Sequence, residues 1–310
     1  MYKRQYKDLL AVRADYNPDF EMRPGYGIAL RLLAVFLLSS MVMLVKLAGD
    51  MGVHALESLF YRFVFGFLFI FFWVLSRDGL SSMKTKRLPL HFFRTLMGII
   101  AMALSFYAAI ILPLPEFATI AFTSPLVMTI MSIIFFKELV GKRRWTAMII
   151  GFLGVLIIVQ PGRNIIPLDG ALMAFGAVTV ASYTFILIKH LSTTESSTAV
   201  VFWFTLMAVP VTGIVMFFIA QPHPPIVWLM MTAVGLFGAI GQVALSESLK
   251  YAPISLTAPM DYSNLLWSTL YGYLIWAYWP GMSLWIGAPI IIGAGIYIAL
   301  RRETVQKNKG

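Results

Sequence analysis

Polar side chains recur at helical spacing within one strongly apolar segment near the C-terminus. They are Thr257, Asp261, Asn264, Ser268 and Tyr271. Steps of three and four residues bring them onto one face of an α-helix. An ionisable side chain inside an apolar segment is costly and usually faces a cavity or a partner. We therefore predict that this face forms a pocket wall near the middle of a membrane, where the Asp261 carboxylate binds a cationic group or carries a proton. The alternative is a buried aspartate that is paired to hold helices together.

A cation in another apolar segment could complete such a pocket. Arg62 follows Tyr61 directly, and Glu57 lies shortly before both. The planar guanidinium of arginine suits a carboxylate better than lysine does, so we predict that Arg62 holds an acidic group of a substrate. The alternatives are a structural ion pair with Glu57 and a side chain that extends outward to the membrane surface.

Three further side chains are candidates for the same pocket. Gln242 offers a polar amide, and Trp267 offers a ring for stacking. Thr123 offers a hydroxyl, although hydroxyls in membrane helices often bond to their own backbone. The full set of predicted substrate-binding residues is Asp261, Asn264, Trp267, Arg62, Tyr61, Thr123 and Gln242.

The composition predicts an integral membrane protein. Of the 310 residues, 59% are hydrophobic and only 12% are charged, and the mean hydropathy is +0.81. Soluble chains carry about 25% charged residues. This excludes a soluble enzyme, a disordered chain and a nucleic-acid-binding domain, and the net charge of +10 is explained by basic cytoplasmic loops. The continuous apolar runs argue against a membrane β-barrel.

Sites for metals and cofactors are not predicted. The chain has no cysteine, and its four histidines are too scattered along the sequence for a metal site. It also has none of the glycine-rich loops that cradle nucleotide phosphates. We therefore predict a protein that is not an enzyme and that carries no cofactor.

The apolar segments predict ten transmembrane helices, because about 20 apolar residues cross roughly 30 Å of hydrocarbon. The predicted spans are 27–48, 57–76, 94–112, 117–136, 145–160, 170–188, 198–219, 226–248, 253–277 and 282–300. Nearly all lysines and arginines outside the spans lie on one side of this arrangement, and only Arg163 lies on the other. The excess of cations predicts that both termini are cytoplasmic.

The two halves of the chain resemble each other at a constant offset, the one that separates Gly141 from Gly281. Other residues that match at this repeat offset are Trp145 with Trp285, Ala118 with Ala258, and Thr123 with Ser263. Each half holds five spans, an odd number, so the second copy would enter the membrane from the opposite side. We predict an all-α integral membrane fold of ten transmembrane helices, built as two inverted five-helix repeats.

Residues 27–300 resemble the EamA branch of the drug/metabolite transporter superfamily. The resemblance is strongest over residues 114–162. There a helix with an internal proline, Pro125, leads to Glu138, a basic loop and a helix with the pair Gly151 and Gly154. The second copy departs from the family pattern, because Ala277-Tyr278 stands where a Gly-Glu pair is expected. The resemblance implies a ten-helix transporter of metabolites, amino acids or drugs in the inner membrane.

The predicted organisation is a cytoplasmic tail (1–26), a first repeat (27–162), a second repeat (163–300) and a second cytoplasmic tail (301–310). Met22, before Arg-Pro-Gly, is an alternative start, and we assign no function to the residues before it. The predicted function is secondary transport, as an exporter, of a small metabolite or amino-acid-like compound by alternating access.

The predicted partners are the lipid bilayer and a small-molecule substrate, with a proton as a candidate coupling ion and no nucleic acid. The sequence favours no particular oligomeric state. Two other functions remain open at this stage: an integral-membrane transferase acting on lipid, and a helper or channel subunit that does not itself transport.

Overall fold

The computed structural model describes residues 24–77, 79, 83, 85, 87–136, 142–160, 166–191, 195, 197–251 and 258–307. Over these residues the chain is almost entirely helical. The helices are α1 Pro24–Asp50, α2 Ala55–Arg77, α3 Leu88–Ile111, α4 Leu114–Ala121, α5 Ser124–Phe136, α6 Lys142–Val159, α7 Leu168–Leu191, α8 Ser197–Ile219, α9 Pro225–Tyr251, α10 Ser263–Trp276 and α11 Met282–Lys307. A 3₁₀ helix, Ala258–Tyr262, leads directly into α10.

Five helical segments of the described chain are long and apolar enough to cross a membrane. They are Gly25–Asp50, Ala55–Ser76, Leu88–Ile111, Ala199–Ile219 and Pro225–Ser248. Large apolar side chains also cover the outer surface: Phe217 is 89% exposed and Leu266 is 72% exposed. Such a surface is stable against lipid and would aggregate in water, so the protein is a multi-pass membrane protein.

The predicted span over 117–136 is not one continuous helix, because the chain forms α4 and α5 with a break between them. At the break, the Thr123 N–H donates to the Ile120 carbonyl at 3.0 Å, and the Leu126 N–H donates to the Thr123 carbonyl at 2.9 Å. These are tight three-residue turns. Pro125 has no N–H to donate, and the first turn of a new helix, which α5 provides, is the position where this costs least.

The helices of the two halves pack in a pattern that is preserved when the halves are exchanged. At the repeat offset, α1 corresponds to α7, α2 to α8, α3 to α9, α5 to α10 and α6 to α11. Helix α1 packs against α9, and α3 packs against α7, so each of these interfaces is the counterpart of the other. Helix α2 packs against its own counterpart α8, and α6 against α11.

Glycines set the distance between α6 and α11. A Cβ atom at Gly154 would lie 2.9 Å from Ile291, and one at Gly151 would lie 3.2 Å from Ala294. A Cβ atom at Gly287 would lie 2.7 Å from the Gly154 carbonyl oxygen, which is backbone and cannot move aside easily. Small residues let membrane helices approach closely in this way.

Candidate functional site

A cavity of about 320 Å³ lies between α1, α4, the 3₁₀ helix and α10. Its polar lining comes from α1, the 3₁₀ helix and α10: Arg31, Ser39, Asp261, Asn264 and Ser268. Apolar side chains of α1, α4 and α9 form the rest of the wall, among them Val35, Leu38, Val42, Leu114, Phe117 and Leu245. A mostly apolar pocket with a few converging polar groups is the usual form of a small-molecule site.

The strongest polar contact of this cavity joins Arg31 to Asp261. The Arg31 Nε donates to Asp261 Oδ1 at 2.6 Å, and Arg31 Nη2 donates to Oδ2 at 2.5 Å. The guanidinium and the carboxylate are therefore paired through two parallel hydrogen bonds, the arrangement that arginine favours. The Arg31 side chain is 13% exposed and that of Asp261 is 40% exposed, so the carboxylate is the more accessible member of the pair.

Two more hydrogen bonds join α1 to α10 along the same interface. The Ser39 hydroxyl donates to the Asn264 side-chain carbonyl at 2.6 Å, and the Ser40 hydroxyl lies 2.7 Å from the Tyr271 hydroxyl. The polar face predicted from sequence thus points toward α1. Its residues do not all lie on one helix, because Asp261 belongs to the 3₁₀ helix, and Thr257 lies outside the described residues.

Two of the predicted site residues, Asp261 and Asn264, line the cavity. Trp267 lies one turn further along α10 and packs edge-to-face on Phe36 of α1, with ring centroids 4.9 Å apart. Gln242 lies on α9, and Leu245 of the same helix reaches the cavity wall.

Thr123 is fully buried at the break between α4 and α5. Its hydroxyl donates to the Ile120 carbonyl at 2.7 Å. The Thr123 hydroxyl thus bonds to the chain's own backbone, which is the alternative stated above for membrane hydroxyls. This hydrogen bond uses the hydroxyl that was predicted to contact the substrate.

Tyr61 and Arg62 lie in another part of the bundle. Tyr61 contacts Trp228 edge-to-face, with ring centroids 5.0 Å apart. Arg62 is buried, and its Nε lies 3.1 Å from where a Cβ would stand on Gly238 of α9. The ion pair considered between Arg62 and Glu57 is wrong, because Glu57 Oε1 instead lies 3.0 Å from His223 Nε2.

The sequence analysis missed Arg31 and Ser39 as site residues. Arg31 lies near the start of the first predicted span, 27–48, where the positive-inside rule already explains a cation. The available signal was its position after Gly27-Ile-Ala-Leu, inside the apolar run, where a lone cation needs a partner. The isolated Asp261 carboxylate, in an apolar segment of the other half, offered a partner of opposite charge.

At the opposite end of α1 and α10, a second set of contacts joins the two halves. The Trp276 ring N–H donates to Asp50 Oδ2 at 2.6 Å, and the Tyr278 hydroxyl donates to Glu116 Oε1 at 2.5 Å. The Lys46 ammonium donates to the Ile110 carbonyl at 2.7 Å. Burial, and then the hydrogen bond to Glu116 and its charge, raise the pKa of Tyr278.

A bundle of apolar helices around a mostly apolar cavity, on which a few polar side chains converge from both halves, is typical of a membrane transport protein. Sequence comparison makes the class specific. The chain belongs to the EamA-like transporter family, whose profile matches it twice, over residues 25–160 and 168–301.

Relatives of known role are transporters of different compounds. The chain is 31% identical over 215 residues to a riboflavin transporter of Vibrio cholerae, covering 68% of this chain and 72% of that protein. It is 26% identical over 281 residues to a pseudopaline exporter of Pseudomonas aeruginosa, covering 89% of this chain and 97% of that protein. It is 24% identical over 291 residues to an S-adenosylmethionine uptake transporter of Rickettsia felis, covering 91% of this chain and 95% of that protein.

The fold is also that of a solved crystal structure. The two superpose with a TM-score of 0.62 at 18% sequence identity, over 90% of this chain and 98% of the other. Together with the family membership, this makes transport of a small molecule across a membrane the general role of the chain.

Proposed function

We propose that the chain is a secondary transporter that exports a small metabolite across the inner membrane by alternating access. The observation that carries this proposal is the Arg31–Asp261 pair. It places one group of each charge on a cavity whose walls come from both halves of the chain. A site between two halves can face one side of the membrane and then the other when the halves rock.

The proposed architecture is ten spans in two inverted repeats. It is supported by the exchange of helix partners described above and by the packing of α6 on α11. In that packing Gly151 meets Ala294 and Gly154 meets Ile291. At the repeat offset, each of these contacts is the counterpart of the other, as expected where two helices cross near a two-fold axis.

Two sets of contacts are the proposed gates, because each set joins the two halves at one end. Arg31–Asp261 closes one end, and Asp50–Trp276 with Glu116–Tyr278 closes the other. Asp261 and Trp276 lie at opposite ends of the segment that forms the 3₁₀ helix and α10, roughly 20 Å apart at 1.5 Å of rise per residue. Opening at either end requires only the contacts of that end to break.

The proposed direction follows from the cations of the sequence. In the predicted topology the excess of lysine and arginine falls on the side where the first span begins, so the positive-inside rule favours a cytoplasmic location for that side, with the Arg31 end of α1 and both termini. The Asp261 carboxylate is 40% exposed there. Breaking the Arg31–Asp261 pair alone would open the cavity to the cytoplasm for loading, and breaking the contacts of the other end would then release the substrate, which is the order of steps in export.

The proposed substrate is a small zwitterionic or amide-bearing molecule. Its cationic group would replace Arg31 at Asp261, its acidic group would replace Asp261 at Arg31, and Asn264 would bind a polar group between them. The relatives carry riboflavin, pseudopaline and S-adenosylmethionine. Their cargo differs from one relative to the next, so the proposal rests on the cavity rather than on a relative.

The test is a thermal-shift screen of the detergent-purified protein against classes of metabolites, followed by transport of any hit in proteoliposomes. A ligand at 100-fold its dissociation constant stabilises a protein by about 2.7 kcal/mol. We expect Asp261→Asn and Arg31→Gln to lose both the shift and the transport.

The matched control is Asp169→Asn, which removes an exposed carboxylate at the start of α7, away from the cavity. It is expected to keep both signals. Unchanged transport in Asp261→Asn and Arg31→Gln would overturn the site. A protein that binds but never transports the hit would instead indicate a helper subunit.

A further inference from the structure

Two arginines are buried inside the helix bundle away from the cavity. Arg62 of α2 is 9% exposed, and Arg94 of α3 is 6% exposed. Neither lines the cavity that holds Arg31 and Asp261. Each guanidinium lies on one ring of the same aromatic pair, Arg62 on Phe63 and Arg94 on Phe204.

The surroundings of this arginine pair are aromatic and apolar. The Arg94 guanidinium carbon lies 3.7 Å from the centre of the Phe204 ring, and that of Arg62 lies 5.3 Å from the centre of the Phe63 ring. The two rings contact each other edge-to-face at 5.2 Å. Gly98 makes room for this stack, since a Cβ there would lie 2.7 Å from Phe204.

Within the described part of the chain, no carboxylate is paired with either guanidinium. Among the described carboxylates, Glu57 Oε1 lies 3.0 Å from His223 Nε2, and Glu195 is paired with His91. Hydrogen-bond donors are left over in consequence: among the described residues, Arg62 Nε, Arg94 Nε and Arg94 Nη1 have no acceptor.

A bare pair of buried cations is unfavourable for two reasons. Each charge loses its hydration on burial, a cost of several kcal/mol that a ring face offsets only in part. The two like charges also repel, and this repulsion is weakly screened in the interior. A bound anion would remove both penalties and accept the unused N–H groups.

We propose that Arg62 and Arg94 together form a binding site for an oxyanion, a carboxylate or phosphate group. Guanidinium forks match the planar or tetrahedral oxygens of such groups through paired hydrogen bonds. This site is separate from the Arg31–Asp261 cavity and does not depend on the transport proposed for that cavity.

The test is thermal unfolding of the detergent-purified protein, followed by its tryptophan fluorescence, with sodium succinate, inorganic phosphate or sodium chloride at constant ionic strength. Succinate or phosphate should raise the unfolding temperature saturably, and chloride should not. A hydrogen bond to a charged group is worth about 1.5–3 kcal/mol. Arg62→Gln and Arg94→Gln should therefore raise the half-saturating concentration by at least about tenfold.

Two further sets of variants locate the signal. Arg62→Lys and Arg94→Lys keep the positive charge but lose the paired N–H donors of the guanidinium, so they should weaken anion binding less than the glutamine variants. The lysine variants replace the glutamine variants in the test if the latter do not fold. Arg31→Gln should leave the half-saturating concentration unchanged. The proposal fails if neither oxyanion stabilises the wild-type protein, if chloride acts equally well, or if the effect disappears with Arg31 and survives without Arg62 and Arg94.

Discussion

Phe122 and Tyr262 are counterparts at the repeat offset, and their rings meet edge-to-face with centroids 5.1 Å apart. Each lies just before the start of a helix, α5 or α10. This ring contact joins equivalent positions of the two halves next to the cavity, which Phe122 also lines.

The first prediction concerns this ring contact. Phe122→Ala and Tyr262→Ala should each lower the unfolding temperature, because each removes a packed ring between the halves. Edge-to-face pairs contribute about 0.5–1.5 kcal/mol beyond their buried area, so the double variant should lose less than the two single losses together. Strict additivity in the detergent-unfolding free energies would contradict a direct coupling of the two rings.

The second prediction concerns the glycines between α6 and α11. Gly287→Ala should destabilise the protein by about 1–3 kcal/mol, since the added methyl group would overlap the backbone of α6 and force the helices apart. Gly293→Ala on the same helix is the matched control, because nothing lies within 4 Å of its Cβ position. The control should be neutral or slightly stabilising, as alanine favours a helix more than glycine does. Equal melting temperatures for the two variants would show that α6 and α11 are not closely packed.

The third prediction separates the structural role of the Arg31–Asp261 pair from its role in binding. Arg31→Asp and Asp261→Arg should each lower stability by placing two like charges together. The double variant restores opposite charges and should recover on the order of 1 kcal/mol, a modest amount because Asp261 is 40% exposed. Transport should stay lost in the double variant, because each exchanged side chain would face a substrate group of its own sign of charge. Full transport in the double variant would make the pair a structural contact only.

The fourth prediction concerns Tyr278 and pH. Tyr278→Phe leaves Glu116 without its hydroxyl donor and should cost about 1 kcal/mol at neutral pH. Because the folded protein raises the pKa of Tyr278 above the usual value of about 10, the stability contributed by this phenol is complete below about pH 10 and declines as the pH rises further.

The phenylalanine variant should therefore lose stability less steeply above about pH 10 than the wild type, in unfolding curves recorded from neutral to alkaline pH. Tyr273→Phe, an exposed position on α10, is the matched control and should follow the wild type. Identical alkaline curves for Tyr278→Phe and wild type would contradict the prediction.

The cavity could be predicted from sequence only in part. Asp261 and Asn264 were found because a polar face is expensive in an apolar helix, and both line the cavity. Arg31 was missed because a cation near the start of a span is normally explained by the positive-inside rule. Arg62 was placed in the same pocket on charge alone, although the helix that carries it faces α9 rather than α10.

The sequence by itself determined the membrane class, the family resemblance and the repeat offset, because these follow from hydropathy and from residue spacing along the chain. Only the tertiary structure decided which charges meet. Arg31 and Asp261 are 230 positions apart, and no periodicity records a contact between distant segments.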